Sequence, residues 1–177
     1  MRPISVILGS PAAGKRTVAR ALLRRFERGL HLPVDDLRHM VVSGLVDMGS
    51  EPSGALNLQL RLAREAAAHT ASSARQGFAV VIDDFWQGDA HDQLFAQMPD
   101  TSPVRVLLRR SVEATLARLR GRHAAGDRFV PVLERVIHAV HAELAGHPNT
   151  GLHIIDSSHL SVEETVDQIL AIPAVAR

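Results

Sequence analysis

The chain has 177 residues, nearly half of them apolar, and a formal net charge of +1, which suits one packed domain and withholds the basic excess of a nucleic-acid-binding surface. It contains no cysteine, which excludes disulfides, zinc–thiolate centres and cysteine nucleophiles, and its one Trp, five Phe and no Tyr leave few platforms for stacking single-stranded bases. The apolar runs are too short for a membrane span and the N-terminus enters a strand almost at once, so no membrane association, no signal peptide and a cytoplasmic location are expected.

In chain order, residues 4–8 form a short apolar run ending at Gly9, the pattern of a buried parallel strand. After a turn at 10–14, helical periodicity covers 17–26. A second strand at 30–34 is closed by Asp35 and Asp36. A helix is expected over 37–46, a Gly/Ser/Pro-bearing loop over 47–54 and a long Ala-rich helix over 56–76, stopped by Gly77. The most hydrophobic strand, 78–82, again ends in two aspartates, Asp83 and Asp84. A short helix at 89–97, a strand at 104–108 and a helix at 112–122 follow, then a polar stretch at 123–128. Pro131 opens a helix to 144, residues 152–155 form a fifth strand, and Ser161 with Glu164 gives the spacing of a capping box before a helix at 162–170.

Five strands alternating with helices predict a three-layer α/β/α domain with a parallel sheet, whose ligands sit beyond the carboxyl ends of the strands. The polar groups at those ends should therefore converge on one cleft. No repeat or linker divides the chain, so one domain spans 1–177.

One segment carries specific chemistry. Gly9-Ser10-Pro11-Ala12-Ala13-Gly14-Lys15-Arg16-Thr17 reads G-x-x-x-x-G-K between a strand and a helix, the context in which loop N–H groups cradle phosphate and the lysine reaches its outer oxygens. Lys15 is the single lysine of the chain; every other one of its 20 Lys and Arg residues is an arginine. A compact ammonium on a flexible stem does here what a planar guanidinium copies poorly. Arg16 stands where the motif has a hydroxyl for Mg²⁺, and the hydroxyl of Thr17, one position later, is the candidate for that role. An apolar strand followed by aspartate supplies the second metal element of such sites; spacing does not decide between the two aspartates, and Asp83, directly after the run, is chosen for the metal, with Asp84 placed on the substrate side. Phe85 and Trp86 either line the acceptor pocket or pack under the sheet rim.

The loop, with Pro11 and a hydroxyl one position late, resembles the adenylate-kinase type G-x-P-x-x-G-K-x-T. Asp35-Asp36-Leu37-Arg38 resembles the segment of zeta-toxin-like kinases in which an aspartate contacts the substrate hydroxyl. That resemblance makes Asp35 the activating base and Arg38 a substrate or phosphate clamp; the alternative is that Asp35 or Asp36 merely caps the following helix, and both can hold at once, one residue for each role. Arg118-x-x-Gly121-Arg122 looks like the start of an adenylate-kinase-like lid at 123–130, which implies that Arg118 and Arg122 reach the nucleotide and that Arg128 lies on the lid. Taken together, the chain resembles the P-loop small-molecule kinases that include zeta-toxin-like, chloramphenicol phosphotransferase-like and gluconate-kinase-like proteins. The resemblance implies strand order 2-3-1-4-5, substrate-side helices within 37–76, and transfer of a phosphoryl group from ATP, with Mg²⁺, to a hydroxyl of a small molecule such as a sugar, nucleoside or antibiotic. A nucleotide-binding switch acting with a protein partner is the alternative; a polynucleotide 5′-kinase is disfavoured by the charge and the missing aromatics. The histidines show no metal-ligand spacing.

Overall fold

The computed structural model describes residues 2–47, 54–88, 90–124, 127, 129–146 and 151–175. Its elements are β1 (Ile4–Gly9), α1 (Lys15–Leu23), β2 (Gly29–Pro33), α2 (Val34–Arg38), α3 (Gly54–Ala74), β3 (Ala79–Phe85), α4 (Ala90–Ala96), β4 (Val104–Arg109), α5 (Val112–Arg120), α6 (Val130–Gly146), β5 (His153–Asp156) and α7 (Val162–Leu170). The strands form one parallel sheet in the order β2-β3-β1-β4-β5, as expected.

Side chains of a strand alternate between faces, and each face here buries its own core. Ile4, Val6 and Leu8 of β1 and Val80 and Ile82 of β3 meet α3, α4 and α6. Ile7 of β1, Val81 of β3 and Leu108 of β4 meet α1 and α7. Helix α3 turns Ala63, Ala67, Ala68 and Ala71 to the sheet, and these small residues let its backbone approach closely. Helix α7 begins in the expected capping box, with the Ser161 hydroxyl accepting from Glu164 N–H and the Glu164 carboxylate accepting from Ser161 N–H. Among the described residues no helix is long and apolar enough to cross a membrane.

Two regions depart from expectation. The helix expected at 37–46 is instead the five-residue α2, starting earlier at Val34, with irregular chain after it. Gly44 lies at φ +77°, a left-handed conformation that ends helical geometry, and polar side chains take over the backbone groups of this stretch. Arg38 donates to the Val46 carbonyl at 2.7 Å, while the Gln59 side chain accepts from Val46 N–H and donates to the Gly44 carbonyl. Strand β3 also runs three residues past Ile82. Asp83 and Asp84 pair with Ile7 and Leu8 of β1 and lie inside the sheet rather than capping it.

Candidate active site

The loop from Gly9 to Gly14 crosses the carboxyl end of the central strand. At Gly9 a Cβ would stand 2.7 Å from the Leu108 carbonyl oxygen, so only glycine lets β1 leave the sheet here. Ala12 (φ +59°) and Gly14 (φ +100°) are left-handed, and such a loop turns successive N–H groups inward, a concavity suited to anions. Helix α1 starts immediately at Lys15 with no side-chain cap and no acidic residue in its first turn, leaving its positive end open to phosphate. The Lys15 ammonium donates to the carbonyls of Gly9 (3.1 Å) and Ser10 (2.9 Å). Burial pushes its pKa below the ordinary lysine value, helped by Arg122, while the charges of Asp83, Asp84 and Asp35 push back.

Above the loop lies a cleft of about 340 Å³ that brings together Lys15, Thr17, Asp35, Asp83 and Arg122, contributed by α1, α2, β3 and the segment after α5. Pro11, Ala12, Gly14 and Arg16 line it too. Asp83 projects to the α1 face and is held by the Nε2 of His31 on β2, a partner that spacing did not reveal because the two are 52 residues apart. Asp35 sits in the first turn of α2, half exposed, 3.3 Å from Arg38 and 3.7 Å from His39. The N-cap of α2 is Pro33, so neither Asp35 nor Asp36 caps that helix. Asp36 instead pairs with Arg16, joining the start of α1 to α2.

Arg118 lies against the loop, its Nη1 3.0 Å from where a Cβ on Gly14 would be, and lines a small recess with Ala13, Gly14 and Ser157. Partial burial, with Arg122 and Arg110 nearby, lowers its pKa. Arg128 lies outside the described residues, as does part of the lid segment; of the remainder, His123 Nδ1 lies 2.6 Å from Asp127 and Phe129 N–H donates to Asp127.

Three expected substrate residues are placed elsewhere. Strand alternation turns Asp84 away from Asp83, onto the α3 face, where its carboxylate accepts from Arg64 Nε at 2.6 Å and lies 3.5 Å from His91 Nε2. Burial opposes its ionisation, yet the hydrogen bond of His91 and the charge of Arg64 hold its pKa below the usual carboxylate value. Trp86 is buried in the α3-side core, its ring 5.5 Å from that of His91, so it packs under the rim and does not line the phosphate cleft. Arg38 is buried with its guanidinium turned to Val46 and Asp35, which makes it a brace for the loop after α2. Arg64, Gln87 and His91 escaped sequence reasoning because they bear no motif; only their tertiary meeting marks them.

A family model for chloramphenicol phosphotransferase-like proteins matches residues 3–172. No curated protein sequence matches significantly. Among solved structures, an unliganded sugar kinase from Janibacter sp. HTCC2649 superposes with a TM-score of 0.68 at 17% identity, covering 100% of this chain and 99% of that one. A gluconokinase from Sinorhizobium meliloti 1021 gives 0.67 at 18% identity, covering 100% and 94%. A shikimate kinase from Acinetobacter baumannii, in complex with shikimate, gives 0.65 at 16% identity, covering 97% and 93%. These likenesses share the fold of P-loop small-molecule kinases, and the match along nearly the whole sequence places the chain in the chloramphenicol phosphotransferase-like family.

Proposed function

We propose that this protein transfers the γ-phosphoryl group of ATP to a hydroxyl of a small molecule. The observation that carries the reading is the convergence of Lys15, Thr17, Asp35, Asp83 and Arg122 on one cleft at the carboxyl ends of the strands. In the transfer, the acceptor oxygen bonds to phosphorus as the bond to the β–γ bridging oxygen breaks. ADP leaves with that electron pair, and the acceptor proton passes to the Asp35 carboxylate. Alignment and charge neutralisation supply most of the acceleration. The loop N–H groups and Lys15 hold the donor phosphates, Arg122 meets the charge that moves between donor and acceptor, and Arg118 braces the loop from beside Gly14.

The site also suits Mg²⁺. Thr17 and Asp83 offer hard oxygen donors, and among the described residues no cluster of three carboxylates or histidines could hold an ion by itself. Mg²⁺ favours such a sparse set, completing its shell with phosphate oxygens and water. It would supply further neutralisation of phosphate charge. His31 fixes the orientation of the Asp83 carboxylate toward that role.

The test is ATP consumption by the purified protein with Mg²⁺, screened against sugars, sugar acids, nucleosides, aminoglycosides and short 5′-hydroxyl oligonucleotides. Stimulation by one small-molecule class supports the reading, and Asp35→Asn should then keep nucleotide affinity while losing transfer. Tight ATP binding with no stimulation by any class would overturn it in favour of a nucleotide-dependent switch.

A further inference from the structure

Beside the phosphate cleft, on the α3 face of the sheet, lies a second and larger cavity of about 530 Å³. Its polar lining comes from one face of α3 and the chain just after β3: Asn57, Arg61, Arg64 and Gln87. The two cavities adjoin across Phe85, which lines the phosphate cleft while the Arg64 guanidinium stands 5.7 Å from its ring centroid. Two features distinguish this cavity from a solvated groove. First, no acidic side chain is among its described lining residues; Glu65, on the next position of α3, faces a neighbouring recess. Second, Arg64 is 6% exposed and rigidly held, with Nε on Asp84 and Nη2 on the Gln87 side-chain oxygen at 2.9 Å. Among the described residues, Nη1 has no hydrogen-bond partner. A buried guanidinium whose Nη1 finds no partner among the described residues, with no carboxylate among the described lining residues, is preorganised for an oxyanion. Asp84 balances the charge of Arg64. Arg61 supplies the excess, since its own contact is a loose 3.8 Å surface pair with Glu65.

We propose that the acceptor is a hydroxylated oxyanion, a carboxylate or phosphate ester, seated by Arg61 and Arg64 with Asn57 and Gln87 meeting its other hydroxyls. This rests on the phosphotransferase reading only in naming the bound molecule an acceptor. Asp84 and His91, which touch Arg64 rather than the cavity, are positioning residues.

The experiment is calorimetric titration of the whole chain with glycerate, gluconate and glycerol 3-phosphate, each set against glycerol or glucitol as the neutral partner. The acids should bind about tenfold or more tightly than their neutral partners, the scale of one charge-assisted hydrogen bond. Comparison of glycerate with glycerol 3-phosphate identifies which oxyanion is preferred. Exposed Arg61→Ala should abolish the preference and Arg61→Lys restore part of it, with ATP affinity in the same samples unchanged. Equal binding of acids and neutral polyols, binding of no acid, or a preference that survives Arg61→Ala overturns the proposal. An acid that binds through Arg61 but is never phosphorylated would leave the anion subsite standing and overturn its identity as the acceptor, whereas the phosphotransferase reading falls separately, if no hydroxyl compound stimulates ATP consumption.

Discussion

On the phosphate side of the cleft, the loop and its lysine lie within the consecutive residues Gly9 to Thr17, whereas the polar groups that line the neighbouring cavity come from α3 and the chain after β3, with Arg64 held in turn from β3 and the start of α4. The first side works through backbone: left-handed Ala12 and Gly14, an uncapped helix start, and one lysine. The second works through side chains that meet only because the sheet has folded, as Arg64 meets Asp84 across 20 residues of sequence. A backbone cradle is a local property and can be carried between proteins as a motif. A side-chain constellation must be assembled anew on each scaffold, which is how one fold serves many acceptors.

The largest effect should come from breaking the local side. Lys15→Ala is expected to lower the transfer rate by about 10³-fold, the scale seen when a preorganised charge is taken from a transition state. The fold should not suffer. Burial makes the charged ammonium less favourable in the folded chain than in the unfolded one, so its removal relieves a cost. A steady-state rate and a thermal melt on the same sample check both halves. Retained turnover would mean that the cradle is not where transfer occurs.

The neighbouring aspartates divide the two sides within a single strand. Asp84→Asn leaves Arg64 buried with its balancing charge gone, at a cost of about 3 kcal/mol, or roughly 6–12 °C in melting temperature for a chain of this size. Asp83→Asn can keep a hydrogen bond to His31 and should cost far less stability while removing most activity. The Asp84 deficit should also depend on pH. Its folded pKa lies below the ordinary value of 3.8, so its contribution is fully present above that value and is lost as pH falls through the lower, folded value. Wild type and Asp84→Asn should therefore still differ at pH 5 and converge below about pH 4. A gap that stays constant into acid would remove the charge from the explanation.

How much of this was legible before folding follows the same division. The five strands, the phosphate loop and the capping box at Ser161 were readable because each rests on short-range pattern, while the strand order came only through the family resemblance. The helix expected at 37–46 was not what forms. Its apolar residues mimic helical periodicity, but Gly44 and the bonds of Arg38 and Gln59 to Gly44 and Val46 decide otherwise, and Met40 and Val42 end up exposed. Adjacent Asp83 and Asp84 look equivalent in sequence. Only the continuation of β3 to Phe85 settles that they face opposite layers. For Trp86 its position leaves both pocket lining and packing under the rim open, and burial in the α3-side core selects the second.

The smallest effect should come from the one contact described above that ties the cradle helix to the acceptor-side helix, the pair of Arg16 with Asp36. Both side chains are about half exposed, at 50% and 54%, so water screens most of their attraction. Arg16→Ala should cost about 0.5 kcal/mol or less, a shift of roughly 2 °C at most. Nucleotide affinity should stay within about twofold, because position 16 offers the cradle its backbone N–H and Thr17 offers the hydroxyl. Acceptor KM is the sensitive measurement. If α2, which carries Asp35, is positioned by its own packing against α3, the KM will not move. A KM several-fold higher at unchanged melting temperature would show instead that the surface pair sets the distance between donor and acceptor, and that the two sides of the cleft are less independent than their construction implies.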